Sequence, residues 1–142
     1  MPTAAGSPRG YARDPLAQFG HMQTDPSVPF VEPRIVPKPW GREIWYAHED
    51  RYAGKILEIT RGHALSLQKH ERKQETMYLQ AGRLRYHLNG RDVEMTVGQC
   101  ITIRPGDVHR MEALEDSVIL EVSTPELDDV IRLDDRYGRT GT

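Results

Sequence analysis

Gln68 and His70 stand two residues apart in Leu65-Ser66-Leu67-Gln68-Lys69-His70, a run whose composition suits a β-strand. Side chains two apart on a strand leave the same face, so this amide and this imidazole can converge on one point. Glu75 follows after a short turn and opens the next strand-forming run, where antiparallel pairing brings its carboxylate beside His70. His109 comes just past Arg104-Pro105-Gly106-Asp107, a turn sequence that opens a later strand. In a closed barrel it reaches the same interior. Imidazole, carboxylate and amide oxygen together suit one borderline-to-hard divalent ion with positions left open for a substrate. Zinc, manganese, iron, cobalt and nickel all accept this donor set.

The elements that must position these residues are short. From about Glu43 the chain reads as brief runs of Val, Ile, Leu, Thr and Tyr, punctuated by Gly at 54, 62, 82, 90, 98 and 106. Strands are expected at Ile44 to Ala47, Tyr52 to Thr60, Ala64 to Lys69, Glu75 to Gln80, Arg83 to Leu88, Asp92 to Thr96, Cys100 to Ile103, His109 to Ala113 and Ser117 to Ser123. Asn89-Gly90 marks a hairpin, because both residues tolerate the positive φ of a primed turn. Leu84, Tyr86 and Leu88 alternate with Arg83, Arg85 and His87, which assigns one face to a core and the other to solvent. So many short antiparallel strands close their edges best as a jelly roll or small barrel, an all-β class.

Length and composition bound the chemistry. The 142 residues fit one compact domain. A formal net charge of −2 lacks the basic excess of a nucleic-acid binder. The single Cys100 can form neither an internal disulfide nor a cysteine-based zinc site, which fits a reducing cytoplasm. No apolar run approaches the roughly 20 residues of a membrane span, and the N-terminus lacks the apolar stretch of an export signal. Eight of the ten prolines precede Trp40, and the first thirty residues show no strand or helix period. Residues 1–34 therefore read as a flexible proline-rich arm, with Met22 as a possible start, 35–124 as the barrel and 125–142 as an extension packing on it.

The spacing of the whole frame resembles a family. Gly62, five residues, Gln68-Lys69-His70, four residues, Glu75, six residues, Gly82 is similar to the first cupin motif, with Gln in place of its first His. Gly98 followed by Pro105-Gly106-Asp107-Val108-His109 resembles the second. The resemblance implies a single double-stranded β-helix with Gln68, His70, Glu75 and His109 as metal ligands. Lys38-Pro39-Trp40-Gly41, Leu65 to His70, and Asp128-Asp129-Val130-Ile131-Arg132-Leu133-Asp134-Asp135-Arg136-Tyr137-Gly138-Arg139 narrow it to the cupin domain of two-domain bacterial phosphomannose isomerases. That likeness runs from about Pro37 to Arg139 and implies a sugar-phosphate site in which Arg139 takes part. The chain departs from the pattern at Glu71-Arg72-Lys73-Gln74, where the family carries a basic cluster, and at Ala113, where it carries Asn. The nucleotidyltransferase half of the two-domain enzymes is absent from the sequence, so nucleotide-sugar synthesis is not expected.

The expected function is thus a metal-dependent sugar-phosphate aldose/ketose isomerase of the mannose-6-phosphate isomerase type, working through an enediolate. Glu58, Glu121 and Lys38 are the candidates for the catalytic base. Lys38, Arg136 and Arg139 are the candidates to hold the phosphate, since a guanidinium fork fits its oxygens. Two other classes compete. An oxygen-dependent cupin dioxygenase more often carries three His and one Glu, whereas a non-catalytic sugar-binding or small-ligand-binding cupin keeps the pocket without turnover. His21, His48 and His87 read as solvated, as does His63 beside Gly62; Trp40 and Trp45 read as packing residues near the barrel entrance. The acidic pairs Asp128-Asp129 and Asp134-Asp135 read as a solvated face. If Gln68 and His70 face the lumen, Leu65, Leu67 and Lys69 face outward, and a homodimer or the arm is expected to cover the leucines. The expected partner is otherwise a small molecule, with neither nucleic acid nor membrane.

Overall fold

The computed structural model describes residues 25–141, and every regular element among them is a β-strand. The strands are β1 (Arg34–Lys38), β2 (Gly41–His48), β3 (Ala53–Ile59), β4 (Leu67–Lys69), β5 (Glu75–Ala81), β6 (Arg83–Leu88), β7 (Arg91–Thr96), β8 (Cys100–Ile103), β9 (His109–Ala113), β10 (Ser117–Ser123) and β11 (Ile131–Asp134). They form a six-stranded sheet in the order β1-β2-β3-β10-β5-β8 and a five-stranded sheet in the order β11-β4-β9-β6-β7. Successive strands cross from one sheet to the other after β3, β4, β5, β7, β8, β9 and β10, which wraps the chain into the jelly roll its turn spacing predicts.

The core lies between the sheets and is built from alternate residues. Leu57 and Ile59 of β3, Met77 and Leu79 of β5, Leu84 and Tyr86 of β6, Met111 of β9 and Ile119 of β10 all point inward and are buried. Each such side chain contributes about 1.5–3 kcal/mol on leaving water. The Asn89-Gly90 hairpin forms as expected, with φ of 48° and 82° and Leu88 paired with Arg91 across it. Asn89 also ties this hairpin to the turn before His109, since its side chain accepts from the Val108 N–H at 2.9 Å and donates to Asp107 at 3.0 Å.

Three features differ from the sequence reading. β1 and β11 form where no strand is expected, both at sheet edges, where Pro37 and a charged Ile-Arg-Leu-Asp run are tolerated. The stretch after residue 124 therefore adds a strand to the five-stranded sheet. The expected strand Ala64 to Lys69 shortens to Leu67–Lys69, with Ala64 making an isolated bridge to Glu112. Leu65 sits in that irregular stretch and turns into the core, its N–H bonded to the Met111 carbonyl at 2.9 Å. Period-two alternation does not apply before Leu67, so Leu65 needs no partner to cover it, and Leu67 and Lys69 are only half-buried. Of the expected arm, residues 1–24 lie outside the described residues, His21 and Met22 among them; Asp25 accepts hydrogen bonds from the backbone and hydroxyl of Ser27.

Candidate metal and anion site

His70 follows β4, Glu75 opens β5 and His109 opens β9, so three strand ends deliver them to one place. One donor atom from each lies within 4.8 Å of the others, and all three residues are buried. Both imidazoles are oriented from behind: the His70 Nδ1–H donates to the Asp129 carbonyl at 2.6 Å, and the His109 Nδ1–H to the Asp107 carbonyl at 2.9 Å. In the neutral ring this leaves each Nε2 with a lone pair, and the two face Glu75 Oε1 at 3.3 Å and 3.1 Å. His109 Nε2 has no hydrogen-bond partner although it is fully enclosed. Buried lone pairs converging on a carboxylate call for a cation, and two imidazoles with a carboxylate are a fitting donor set for a divalent one. Burial disfavours the Glu75 carboxylate, but the neighbouring His109 and His70 rings and the Lys73 charge hold it well below the usual carboxylate range.

Gln68 pairs with His109 across β4 and β9 and lines the same cavity. Its Oε1 accepts the Ser66 hydroxyl at 2.7 Å, which fixes which end of the amide is which. The register sets Gln68 beside His109 in the five-stranded sheet, while Glu75 meets His70 and His109 from the other sheet, across the barrel and not by the antiparallel pairing the sequence suggests.

A row of paired residues crosses the six-stranded sheet above this cluster: Trp45, Lys55, Glu121, Met77 and Ile101 lie side by side facing the lumen. Glu121 is fully enclosed and sits between two lysines, with Lys73 Nζ at 3.4 Å and Lys55 Nζ at 4.0 Å. Burial first, and the neighbouring Glu75 charge second, push its carboxyl up to about 7 against the pull of the lysines. Burial alone would lower Lys73, yet Glu121 and Glu75 beside it raise it above the ordinary lysine value. Lys55 also pairs with buried Glu43 at 3.2 Å, and Trp45 Nε1 donates to Glu43 at 2.7 Å.

Cations gather elsewhere on the cavity wall. Lys38, Arg132 and Arg139 all line it. Burial lowers Lys38, with Glu43 at 3.8 Å opposing and the charges of Lys55, Arg132 and Arg139 adding to the effect. Arg132 lies opposite Gln68 in the β11–β4 pairing, and its buried Nε has no hydrogen-bond partner. Arg139 is held by Asp135, which accepts from Nε at 2.9 Å and from the terminal nitrogen at 3.0 Å.

Other expected site residues lie elsewhere. Glu58 does not face the lumen: Leu57 and Ile59 on either side point inward, so Glu58 points out and pairs with Arg42. Arg136 is exposed and pairs with Glu112 outside the cavity. The acidic pairs are not simply a solvated face. Asp129 accepts the backbone N–H groups of Glu71, Arg72 and Lys73 at 3.1, 2.6 and 2.9 Å, and Asp135 is buried against Arg139. His63 is not free in solvent either, since its Nδ1 lies 2.6 Å from the Tyr137 hydroxyl with the rings stacked. His48 is exposed, and His87 is half-buried beside Asp92. Trp40 belongs to the core and, with Trp45, also lines the cavity.

Sequence reasoning missed Lys55, Glu43 and Lys73. The first two were within reach, because Lys55 shares the period-two face of Leu57 and Ile59 and Glu43 shares that of Trp45. Lys73 lies in a turn, where no period reveals direction.

Residues 55–123 match the family model of the cupin domain. The chain is 32% identical over 111 residues to the mannose-1-phosphate guanylyltransferase ManC of Salmonella typhimurium, covering 75% of this chain and 23% of that protein. It is 32% identical over the same length to mannose-1-phosphate guanylyltransferase of Escherichia coli K12, again covering 75% of this chain and 23% of the relative. The chain thus spans about a quarter of the length of the curated relatives it matches. Among solved structures, KdgF from Halomonas sp. superposes with a TM-score of 0.61 at 23% identity, covering 70% of this chain and 90% of that one. Streptomyces Pac13 with uridine gives 0.64 at 17% identity, covering 72% and 85%. A putative sugar phosphate isomerase from Acidithiobacillus ferrooxidans gives 0.53 at 14% identity, covering 61% of each chain. At these identities the structural likeness speaks for the fold.

Proposed function

The chain is a cupin, and from that premise and the layout of its cavity we propose a metal-dependent aldose/ketose isomerase that acts on a sugar phosphate of the mannose-6-phosphate type. The observation that carries this reading is one cavity lined by Glu75 of the buried His70-Glu75-His109 cluster, by a further enclosed carboxylate and by a group of cations.

His70, Glu75 and His109, with the Gln68 amide oxygen, would hold one divalent ion of zinc, manganese, iron, cobalt or nickel type. Such an ion polarises a carbonyl and stabilises the negative charge that develops beside it during proton removal. Glu121 is the base: it takes the proton from the carbon next to the carbonyl and returns it to the former carbonyl carbon, while the hydroxyl proton passes from the one oxygen to the other, which interconverts aldose and ketose without net change in atoms or charge. Lys73 and Lys55 hold the Glu121 carboxylate in place. Lys38, Arg132 and Arg139 receive the phosphate, and Asp135 keeps the Arg139 fork from swinging away. Leu57, Leu65, Met77 and Met111 wall the cavity and shelter the reacting carbons from water.

Support for a sugar-related role comes also from the relatives, which are mannose-1-phosphate guanylyltransferases, and from the likeness to the putative sugar phosphate isomerase of Acidithiobacillus ferrooxidans. No helix among the described residues is long and apolar enough to cross a membrane. A reducing cytoplasm suits the single free, exposed Cys100.

The test is NMR in deuterated water on protein reconstituted with each of the five metals, using mannose 6-phosphate and fructose 6-phosphate. Metal-dependent entry of deuterium beside the carbonyl, lost in His70→Ala, is the expected result. Absence of exchange with every metal rejects these substrates, and thermal stabilisation without exchange assigns the cavity to binding alone.

A further inference from the structure

Glu75 divides its two oxygens between two kinds of partner. Oε1 faces His70 Nε2 at 3.3 Å and His109 Nε2 at 3.1 Å, whereas Oε2 lies 2.5 Å from the Lys73 ammonium. Lys73 is only 3% exposed, and its position is set from both ends. Its backbone N–H donates to the Asp129 carboxylate at 2.9 Å, which fixes the turn that carries it, and its ammonium also meets Glu121 at 3.4 Å. Glu121 is backed in turn by Lys55 at 4.0 Å, which pairs with Glu43 at 3.2 Å. Moving the Lys73 ammonium aside would strand buried charge, so the second oxygen of Glu75 stays occupied.

We propose that Lys73 determines which ion the centre accepts, by occupying the second oxygen of Glu75 and leaving the ion only the first. The inference rests on the metal-centre reading above. A carboxylate that offers one oxygen beside two imidazoles suits small ions that bond well to nitrogen, zinc and nickel among them. Calcium gathers about six to eight oxygens, commonly two from one carboxylate, and manganese also favours oxygen donors. Those ions lose the chelating mode here. The same ammonium engages Glu121, which keeps that carboxylate from serving as an additional oxygen ligand. Its charge also repels any cation brought to Glu75. That repulsion weighs most on ions held by charge alone and least on those bonded firmly to imidazole. Lys73 is thus a specificity residue for the ion without being one of its ligands.

Calorimetry of wild type, Lys73→Met and Lys73→Arg with zinc, nickel, manganese and calcium tests this through the ratios of dissociation constants. Wild type should bind zinc and nickel far more tightly than manganese or calcium. Lys73→Met keeps a long side chain but removes the charge and the donors, so it should bind manganese about tenfold more tightly while zinc changes less. Lys73→Arg retains both and should keep the wild-type ratio. A lysine that merely supported the turn would, when replaced by Met, weaken all four ions together, and that result overturns the proposal. An unchanged ratio in Lys73→Met also overturns it and leaves the metal centre standing, whereas a wild type that binds none of the ions removes both. Infrared difference spectroscopy of the wild type on zinc loading needs no variant. The two carboxylate stretches of the ligand should move apart, as ligation through one oxygen requires, and their convergence, the mark of chelation, overturns the assignment even if Lys73→Met fails to fold.

Discussion

His70 and His109 present the same nitrogen to the same carboxylate oxygen, each steered from behind by a backbone carbonyl, with their ring centroids 5.0 Å apart. The rings are oriented before any ion arrives, so a divalent cation should bind without rearrangement of the barrel. Calorimetry with zinc or cobalt should show one site per chain. His109→Ala should weaken it by more than the roughly 10–100-fold that loss of an outer hydrogen-bond partner costs. Equal affinity in wild type and variant would remove His109 from the site.

Replacing Glu121 by Gln keeps its shape and removes the proton acceptor. The variant should bind metal like the wild type and lose deuterium exchange by at least about 100-fold, the range a positioned base contributes. Loss of metal together with exchange would instead make Glu121 a structural support of the cluster.

Arg132→Ala and Arg139→Ala should each raise the KM for a sugar phosphate by about tenfold, the effect of losing one charge-assisted contact of about 1.5 kcal/mol, and leave metal affinity alone. Arg136→Ala should change neither, because its guanidinium engages Glu112 outside the cavity. Steady-state kinetics on the three variants decide the matter, and an Arg136 effect as large as the others would contradict the placement of the phosphate.

Gly82 has φ of 88°, and a Cβ there would lie 2.3 Å from Ser117 Oγ and 2.4 Å from the Asp116 carbonyl oxygen. Gly82→Ala combines backbone strain with a backbone clash, so it should destabilise the fold by about 2 kcal/mol or more in urea unfolding. Gly90→Ala, in open space at φ of 82°, should cost less.

Asp135 is held below its ordinary pKa of 3.8, chiefly by the hydrogen bonds from Arg139 and against the effect of burial. A folded pKa below the unfolded one adds stability that is complete above the unfolded value and disappears as pH falls through the folded value. Unfolding free energies of wild type and Asp135→Asn should therefore differ at neutral pH and converge below about pH 4. A constant difference across that range would show that the Asp135 charge is not what stabilises the pair.

Much of this molecule could be read from its residues, and the failures share a cause. Leu84, Tyr86 and Leu88 alternate over a regular strand closed by Asn89-Gly90, and the structure has the same face and the same turn. Gln68 and His109 are neighbours because the register of β4 and β9 fixes their directions, whereas His70 follows β4 and Glu75 comes across from the other sheet. Leu65 points to the core and not outward because the chain before Leu67 is irregular. Glu58 is a candidate base by residue type alone, although its neighbours Leu57 and Ile59 already fix its direction. Lys73 and Asp129 depend on a turn meeting a distant loop, a contact between residues 56 apart that local pattern does not contain.

Asp129 does two things at once: its carbonyl orients His70 while its carboxylate gathers the backbone of residues 71–73. The ion site and the chain beyond residue 124 are therefore thermodynamically linked, and the linkage runs both ways. Loading the cation should slow amide exchange near Asp129, and trimming the chain back from its C-terminal end should loosen the cation by the same free energy.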